Sequence, residues 1–218
     1  MSRLRTISLG LIGLTILISA WFYPQLPAQV PNHWDINGTV DGWQTPLESA
    51  LFVSIICVVF MTILWIAGRL DPRPSIVAAI DWVVVIMLLF FVVLQVTIML
   101  IGTGNHIPME RIIMLGMAGL FAGIGRAMRD VEPNGFVGIR TFWTMTNPQV
   151  WRETHLLAYR TMVISALITI VVACLPIPPA WLFGAGVSSI LIGVFWPMIF
   201  AYRRYHQLTD GTSPSSRS

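Results

Sequence analysis

Six long apolar segments, separated by shorter polar stretches, dominate the hydropathy pattern of the chain. Most of them approach the ~20 residues that an α-helix needs to cross the hydrocarbon core of a bilayer. We therefore expect an all-α integral membrane protein, a bundle of about six transmembrane helices, with a single polytopic domain over residues 1–208 and a disordered polar tail over residues 209–218. The predicted spans are residues 7–22, 50–67, 76–101, 109–125, 157–175 and 181–202.

The arginines predict the orientation of these spans. Short cytoplasmic segments of membrane proteins carry an excess of basic residues. All 13 basic residues of this chain are arginines, and only Arg111 lies outside if both termini are cytoplasmic. We therefore expect a multi-pass protein of the bacterial cytoplasmic (inner) membrane, with the N and C termini inside, a short outer hairpin and an inner polar loop of about thirty residues.

Composition narrows the classes of partner. Hydrophobic residues make up 56% of the chain and charged residues 11%, which excludes an ordinary soluble domain. The net charge is +3, without the clustered basic face that nucleic-acid binding requires. We expect membrane lipids as partners and no direct binding to nucleic acid.

The outer segment between the first two spans is predicted to form a hairpin. Asn37-Gly38 lies between short alternating runs, which is typical of a two-residue type I′ turn. In that register Trp34 faces Asp41, whereas His33 and Asp35 lie on the opposite face. The predicted hairpin therefore separates His33 from Asp41.

His33, Asp35 and Asp41 are residue types that bind metal ions. Oxygen ligands recur at alternate positions from Asp35 to Asp41, as in a calcium loop. An EF-hand loop requires Gly at its sixth position and Glu at its twelfth, where this chain has Val40 and Pro46. We favour a structural hairpin or a partner-recognition surface over metal binding, and we expect no metal and no cofactor.

The third span contains two polar residues, Asp81 and Gln95. An ionisable group inside a membrane span is a candidate for function by default. Asp81 lies near the inner boundary, so the alternative is an interfacial ion pair with Arg69, Arg73 or Arg160.

The fourth span is rich in glycine. The spacing of Gly119 and Gly123 allows close backbone approach between helices, which favours a packing helix at the centre of the bundle. The alternative is a glycine-lined pathway. Together with Asp81, such a pathway would make the protein a small transporter or ion pathway.

The inner polar stretch contains its own helix signal. Residues 136–142 are β-prone, and Asn147-Pro148 favours a helix that begins at the proline. Trp151 and His155 lie four residues apart and therefore share a face of that helix. The candidate ligand- or partner-binding residues of the stretch are Arg140, Thr141, Trp143, Asn147, Trp151, Glu153 and His155.

Arg140, Glu153 and His155 could form a polar cluster at the inner mouth of the bundle. The alternative is that the loop folds against the helix ends, with Arg140 bound to carbonyls or to phosphate headgroups. The sequence has no nucleophile with a partner at a recognisable spacing, no His-Glu-x-x-His and no glycine-rich phosphate loop. We therefore expect no catalytic residues and no enzymatic activity.

Two motifs resemble those of a known family. Residues 31–42 carry Pro-x-His-Trp…Gly…Asp-Gly, and residues 138–155 carry Gly-Ile-Arg-Thr…Trp-Thr…Trp…Thr-His. In this order and among six spans, they resemble the SdpI-like family of immunity proteins against the sporulation-delaying killing toxin. Phe142 stands where the family pattern leads us to expect proline.

The resemblance implies that the protein recognises a small, membrane-active toxic peptide and confers resistance to it. It also implies a signalling role through a cytoplasmic transcriptional repressor. Under this hypothesis the outer residues His33, Trp34, Asp35 and Asp41 meet the peptide. The alternatives are the transporter described above and a scaffold whose inner loop docks a soluble protein.

Overall fold

The computed structural model describes residues 2–210, and six of its helices are long and apolar enough to cross a membrane. Residues 211–218 of the predicted disordered tail lie outside the described residues, and the last helix continues to Asp210. A single turn of 3₁₀ helix (Tyr23–Gln25) follows the first helix. In chain order the elements are α1 (Arg3–Phe22), β1 (Val30–Trp34), β2 (Val40–Gln44), α2 (Pro46–Leu70), α3 (Pro74–Gly102), α4 (Met109–Met128), α5 (Phe142–Thr146), α6 (Pro148–Cys174) and α7 (Pro179–Asp210).

The outer surface of the bundle is apolar. Between 22% and 33% of the residues in the most hydrophobic window of each long helix are buried, so most apolar side chains face outward. Large side chains such as Leu17 and Leu70 are about 70% exposed. Soluble monomers rarely expose apolar patches of this size, whereas lipid covers them in a membrane. The prediction of a six-helix membrane bundle is confirmed.

Successive long helices run in opposite directions, which gives the bundle two distinct ends. The end with the β1–β2 hairpin also carries residues 103–108 and 175–178, and we call it the hairpin end. The end with residues 71–73 and 129–147 is called the loop end. Helices α1, α2 and α3 pack on one another, α4, α6 and α7 form a second group, and contacts between α3 and α4 join the groups.

Two helices begin where capping residues precede a proline. Thr45 and Glu48 form a capping box at the start of α2, and the Asn147 side chain accepts hydrogen bonds from the N–H groups of Gln149 and Val150 at the start of α6. Because α6 begins at Pro148, the connection after α4 comprises residues 129–147, which is shorter than expected. Residues 136–142 form no strand, and the short helix α5 begins at the end of this segment.

Helix α4 lies between α3 and α6 and packs through some of its glycines. Gly123 lies against Ile86 of α3, and Gly125 lies against Met162 of α6. This position supports the interpretation of α4 as a packing helix. The predicted Gly119–Gly123 pair is wrong, however, because Gly119 is exposed and a Cβ there would meet no atom within 4 Å.

We expect Gly123→Leu to destabilise the purified protein by about 1–3 kcal/mol, because the added side chain overpacks the interface between α3 and α4. Gly119→Leu is the matched control, since it makes the same change on the same helix in open space. Thermal unfolding in detergent measures both variants. Equal melting temperatures for the two would contradict the packing described here.

Candidate functional site

The hairpin between α1 and α2 is built on a turn from Asp35 to Gly38. The Gly38 N–H donates to the Asp35 carbonyl at 3.0 Å, and the Asp35 N–H donates to the Thr39 carbonyl at 2.9 Å. Gly38 has a φ of 80°, and no residue other than glycine has a positive φ among those described. A type I′ turn requires positive φ at both central positions, so that prediction is wrong although the hairpin itself forms.

The Asp35 side chain explains the turn that is observed. Its Oδ1 atom accepts hydrogen bonds from the Asn37 N–H at 2.9 Å and the Thr39 N–H at 2.8 Å. These bonds favour the ionised carboxylate, and the bond from Thr39 contributes most to lowering the pKa of Asp35 below its usual value. Asp35 therefore stabilises the turn, as short acidic side chains commonly do.

The turn sets a register that differs from the predicted one. Trp34 pairs with Val40 and His33 pairs with Gly42, with irregularities between the paired positions. A Cβ at Gly42 would lie 2.7 Å from the His33 Cβ, so this register needs glycine there. The His33 Nδ1 lies 2.5 Å from Asp41 Oδ1. The predicted separation of His33 from Asp41 is therefore wrong, because the longer loop shifts the strands.

Asp35 does not complete a metal site with this pair. Its carboxylate faces the turn amides, whereas His33 and Asp41 bind each other. Among residues 2–210, no three His, Cys, Asp or Glu side chains are grouped so that they could hold a metal ion. His33 and Asp41 are largely exposed, and such pairs contribute little to stability. They are available to a partner.

The hairpin covers a small cavity at its end of the bundle. Val30 is fully buried and packs against Gly102 at the end of α3, which fixes the hairpin on the helices. The cavity has a volume of about 280 Å³. Its lining comes from the hairpin, α3, α4 and α7, and consists of Asn32, His33, Trp34, Asp35, Leu94, Ile98, Met109, Glu110, Ile113 and Phe183. The sequence pattern did not single out Glu110. Acidic residues are common in the first turn of a helix, so the sequence alone does not distinguish this one.

At the loop end, His155 joins the connection to α6. Its Nδ1 lies 2.8 Å from the Trp151 carbonyl, which can only accept, so Nδ1 carries the proton. Its Nε2 therefore accepts the hydrogen bond from the Ile139 N–H at 2.9 Å. The ring stacks on Trp151 with centroids 4.0 Å apart, and both side chains are buried. The Trp151 Nε1–H donates to the Val131 carbonyl at 2.7 Å, which ties the other end of the connection to α6.

Gly138 is required by this arrangement. Its φ of 125° lies in the region that favours glycine, and a Cβ there would collide with His155 Nε2 and lie 2.9 Å from the Trp151 ring. Thr144 is also fully buried and donates to the Ile139 carbonyl at 2.7 Å. We call Gly138, Ile139, Trp151 and His155 the loop-end unit. The second sequence motif therefore has a structural role.

The predicted cluster of Arg140, Glu153 and His155 does not form. Arg140 donates to the Gly135 carbonyl, and Glu153 pairs with Arg204 of α7 at 2.6 Å. Glu153 and His155 are two residues apart on α6, and side chains at that spacing point in different directions. His155 faces the loop, whereas Glu153 faces α7.

The aromatic residues of α5 connect the same loop to α7. The rings of Trp143 and Tyr202 are 5.2 Å apart, and those of Phe142 and Tyr205 are 5.7 Å apart, each pair edge to face. Thr141 caps α5 by accepting from the Thr144 N–H. Phe142, which stands in place of the expected proline, occupies the first position of α5. The first position of a helix does not use its backbone N–H, which is why proline is favoured there. Phenylalanine can occupy this position without changing the hydrogen bonds of the helix.

Asp81 is held by the N-terminal helix. It is 2% exposed and accepts from Arg5 Nε at 3.0 and 3.1 Å and from the Ser2 hydroxyl at 2.8 Å. An ion pair was one of the alternatives, but the expected partners were wrong. Arg73, for example, binds Asp71 at 2.7 Å, and this hydrogen bond lowers the pKa of Asp71. Asp81 lies about two turns into α3, which begins at Pro74, and its carboxylate faces the start of α1.

Gln95 forms a separate polar contact near the hairpin end. It is fully buried, and its Nε2 donates to the Ser19 hydroxyl at 2.9 Å and the Ser49 carbonyl at 3.1 Å. It therefore links α3 to α1 and α2. Asp81 and Gln95 are about 21 Å apart along α3 at 1.5 Å per residue, so they do not form one site.

The two segments that carry the motifs match two protein-family models. Residues 10–58 match a domain of unknown function (DUF1648), and residues 130–201 match the SdpI/YfhL protein family. The chain is 26% identical to the Immunity protein SdpI of Bacillus subtilis (strain 168) over 168 residues, which cover 77% of this chain and 80% of that protein. No solved structure matches the chain significantly. These matches confirm the resemblance seen in the motifs.

We expect Gly138→Ala to destabilise the protein and to free the Ile139 N–H from His155, because the methyl group collides with the loop-end unit. Gly135→Ala is the control, since a Cβ at Gly135 meets nothing within 4 Å. Hydrogen exchange at Ile139 and thermal unfolding measure the two effects. Protection at Ile139 that is the same in Gly138→Ala as in the parent protein would show that the unit does not depend on this glycine.

Proposed function

We propose that this chain, which is an SdpI-like multi-pass membrane protein, protects its own membrane by binding a membrane-active toxic peptide. The observation that carries the proposal is the similarity to an immunity protein over 77% of the chain. Binding alone suffices for protection, because a peptide held by the protein is removed from the pool that assembles in lipid. The proposal therefore requires no catalytic step.

We place the loop end in the cytosol and the protein in the bacterial cytoplasmic membrane. Within residues 2–210, every arginine except Arg111 lies in the half of the bundle nearer the loop end. This distribution supports an orientation with both termini inside. Arg111 has a structural reason to be the exception, because it donates to the carbonyls of Ala173 and Leu175 at 2.6 and 2.8 Å, at the end of α6.

The two ends would then have different tasks. The hairpin end faces outward, and Trp34 and His33 line its cavity, where a peptide arriving from outside can make contact. The loop end faces a cytoplasmic repressor. Arg140 and Arg152 are exposed there, on a loop that the loop-end unit holds in place. The contacts within the loop-end unit hold the loop in one conformation. They therefore support signalling from a defined surface rather than from a flexible segment.

A small transporter or ion pathway is the second candidate. Buried oxygens without a partner favour it. Among the described residues, Gln95 Oε1 and the hydroxyls of Ser49 and Ser54 have none, and the Gln95 Nε2 lies 3.1 Å from the Ser49 carbonyl. Buried polar groups of this kind commonly bind water. Against this candidate, Arg5 neutralises Asp81, so the one buried carboxylate of α3 is already paired.

Cells that lack the gene should become sensitive to a peptide secreted by their own species, and the intact gene should restore resistance. Trp34→Ala should fail to restore it because the side chain lines the cavity, and Arg140→Ala should fail because it alters the loop surface. Trp43→Ala is the matched control, since Trp43 lies on the same hairpin but outside the cavity. Growth in the presence of each candidate peptide is the measurement. A deletion strain that tolerates all of them would remove the immunity hypothesis.

The orientation can be tested with two cysteine variants in a background where Cys57 and Cys174 are alanine. Ile36 and Met145 are both exposed, at the hairpin end and the loop end respectively. In intact cells a membrane-impermeant maleimide should label the Ile36→Cys variant, and it should label the Met145→Cys variant only after permeabilisation. Labelling of both from the same side would contradict the six-span topology, and the reverse pattern would contradict the orientation.

A further inference from the structure

The cavity beneath the hairpin has a mixed lining. Leu94 of α3, Ile113 of α4 and Phe183 of α7 form apolar walls, and Trp34 and Asp35 close it on the hairpin side. Its volume of about 280 Å³ is just below the range of about 300–1,000 Å³ that is typical of ligand pockets. The space suits a few side chains of a larger ligand better than a whole small molecule.

Glu110 contributes an unpaired carboxylate to this cavity. It lies in the first turn of α4, next to the hairpin turn, where a Cβ on Gly38 would be 3.1 Å from its Oε2. Within residues 2–210 it makes no hydrogen bond and no ion pair. The other carboxylates of the hairpin end are all engaged, Asp35 by Asn37 and Thr39, Asp41 by His33 and Glu48 by Thr45.

The charge around the cavity is negative. The hairpin end carries four carboxylates and one arginine, a net charge of −3 with its histidines neutral. That arginine, Arg111, is bound to the carbonyls at the end of α6 and does not neutralise Glu110. A surface of one sign attracts ligands of the opposite sign and disfavours those of its own sign.

We propose that the hairpin end selects a cationic amphipathic peptide, with a basic group beside Glu110 and apolar side chains against Leu94, Ile113 and Phe183. This inference rests on the proposed function in taking a peptide as the ligand. It goes beyond that function by assigning a positive charge to the ligand and by identifying Glu110 as the residue that binds this charge. A carboxylate in the first turn also stabilises α4 through the helix dipole. A role in helix stability would affect cationic and anionic ligands alike. Binding measurements with both kinds of ligand therefore distinguish that role from recognition by Glu110.

The test uses the full-length protein in phosphatidylcholine nanodiscs. The probes are an amphipathic helical peptide of leucine and lysine and its counterpart of leucine and glutamate, each measured against empty nanodiscs. We expect only the lysine peptide to bind the protein above the lipid background. We expect Glu110→Gln to weaken its binding about five- to tenfold at low salt, and added salt to reduce this difference because it screens the charges.

Glu48→Gln is the matched control. It removes one carboxylate charge at the same end, outside the cavity, and glutamine can replace glutamate in the capping box of α2. Its affinity for the lysine peptide should equal that of the parent protein. Equal losses in Glu48→Gln and Glu110→Gln would overturn the assignment of Glu110, and equal binding of the two peptides would overturn the charge selectivity.

Three further outcomes decide between this inference and its alternatives. If the lysine peptide binds in maltoside detergent but choline headgroups displace it, the cavity belongs to lipid and the inference fails. If the deletion strain tolerates every peptide while binding still depends on Glu110, the immunity hypothesis fails and the cavity assignment stands. If the strain is sensitive but binding shows no charge preference, immunity stands and the inference fails.

Discussion

Hydrocarbon offers no hydrogen-bond partners, so a charged side chain or a free backbone carbonyl within the bundle is costly unless the protein itself supplies a partner. Asp81 shows the consequence, because Arg5 and Ser2 come from the N-terminal end of α1 to neutralise and solvate a carboxylate two turns inside α3. Arg111 does the same for the free carbonyls at the end of α6. Polar residues in the spans therefore connect helices, and a polar residue in a span is not by itself a transport site.

The same constraint explains the loop-end unit. The connection between α4 and α6 bends back over the bundle, which buries backbone groups that a helix would otherwise satisfy. His155 accepts from Ile139, Trp151 donates to Val131, and Gly138 leaves the space that their rings occupy. The motif residues at these positions therefore hold the loop in place. A Gly138→Ala variant thus changes the shape of the surface without touching its charged groups.

Local signals in the sequence predicted the local structure well. Hydropathy identified the six spans, Asn147-Pro148 identified the start of α6, and the spacing of Trp151 and His155 identified their shared face. Two of the errors have clear physical causes, one an ion pair between residues far apart in the sequence and the other a side chain that binds its neighbouring backbone. Arg5 is 76 residues from Asp81, and the Asp35 side chain selects a turn other than the one that Asn37-Gly38 favours. Glu110 was missed because its significance lies in what surrounds it and in the absence of a nearby partner among the described residues.

A receptor that binds outside and signals inside needs an element that extends between its ends. Helix α4 fits that requirement, since its 20 residues span about 30 Å and run from Glu110 at the cavity to the loop end. Along this path Gly123 contacts α3, and Gly125 contacts α6, the helix that carries Trp151 and His155. A ligand at Glu110 can alter the loop surface only if it binds two arrangements of α4 with different affinity. Any such shift of α4 would have to displace Ile86 from Gly123 or Met162 from Gly125, because both contacts are close.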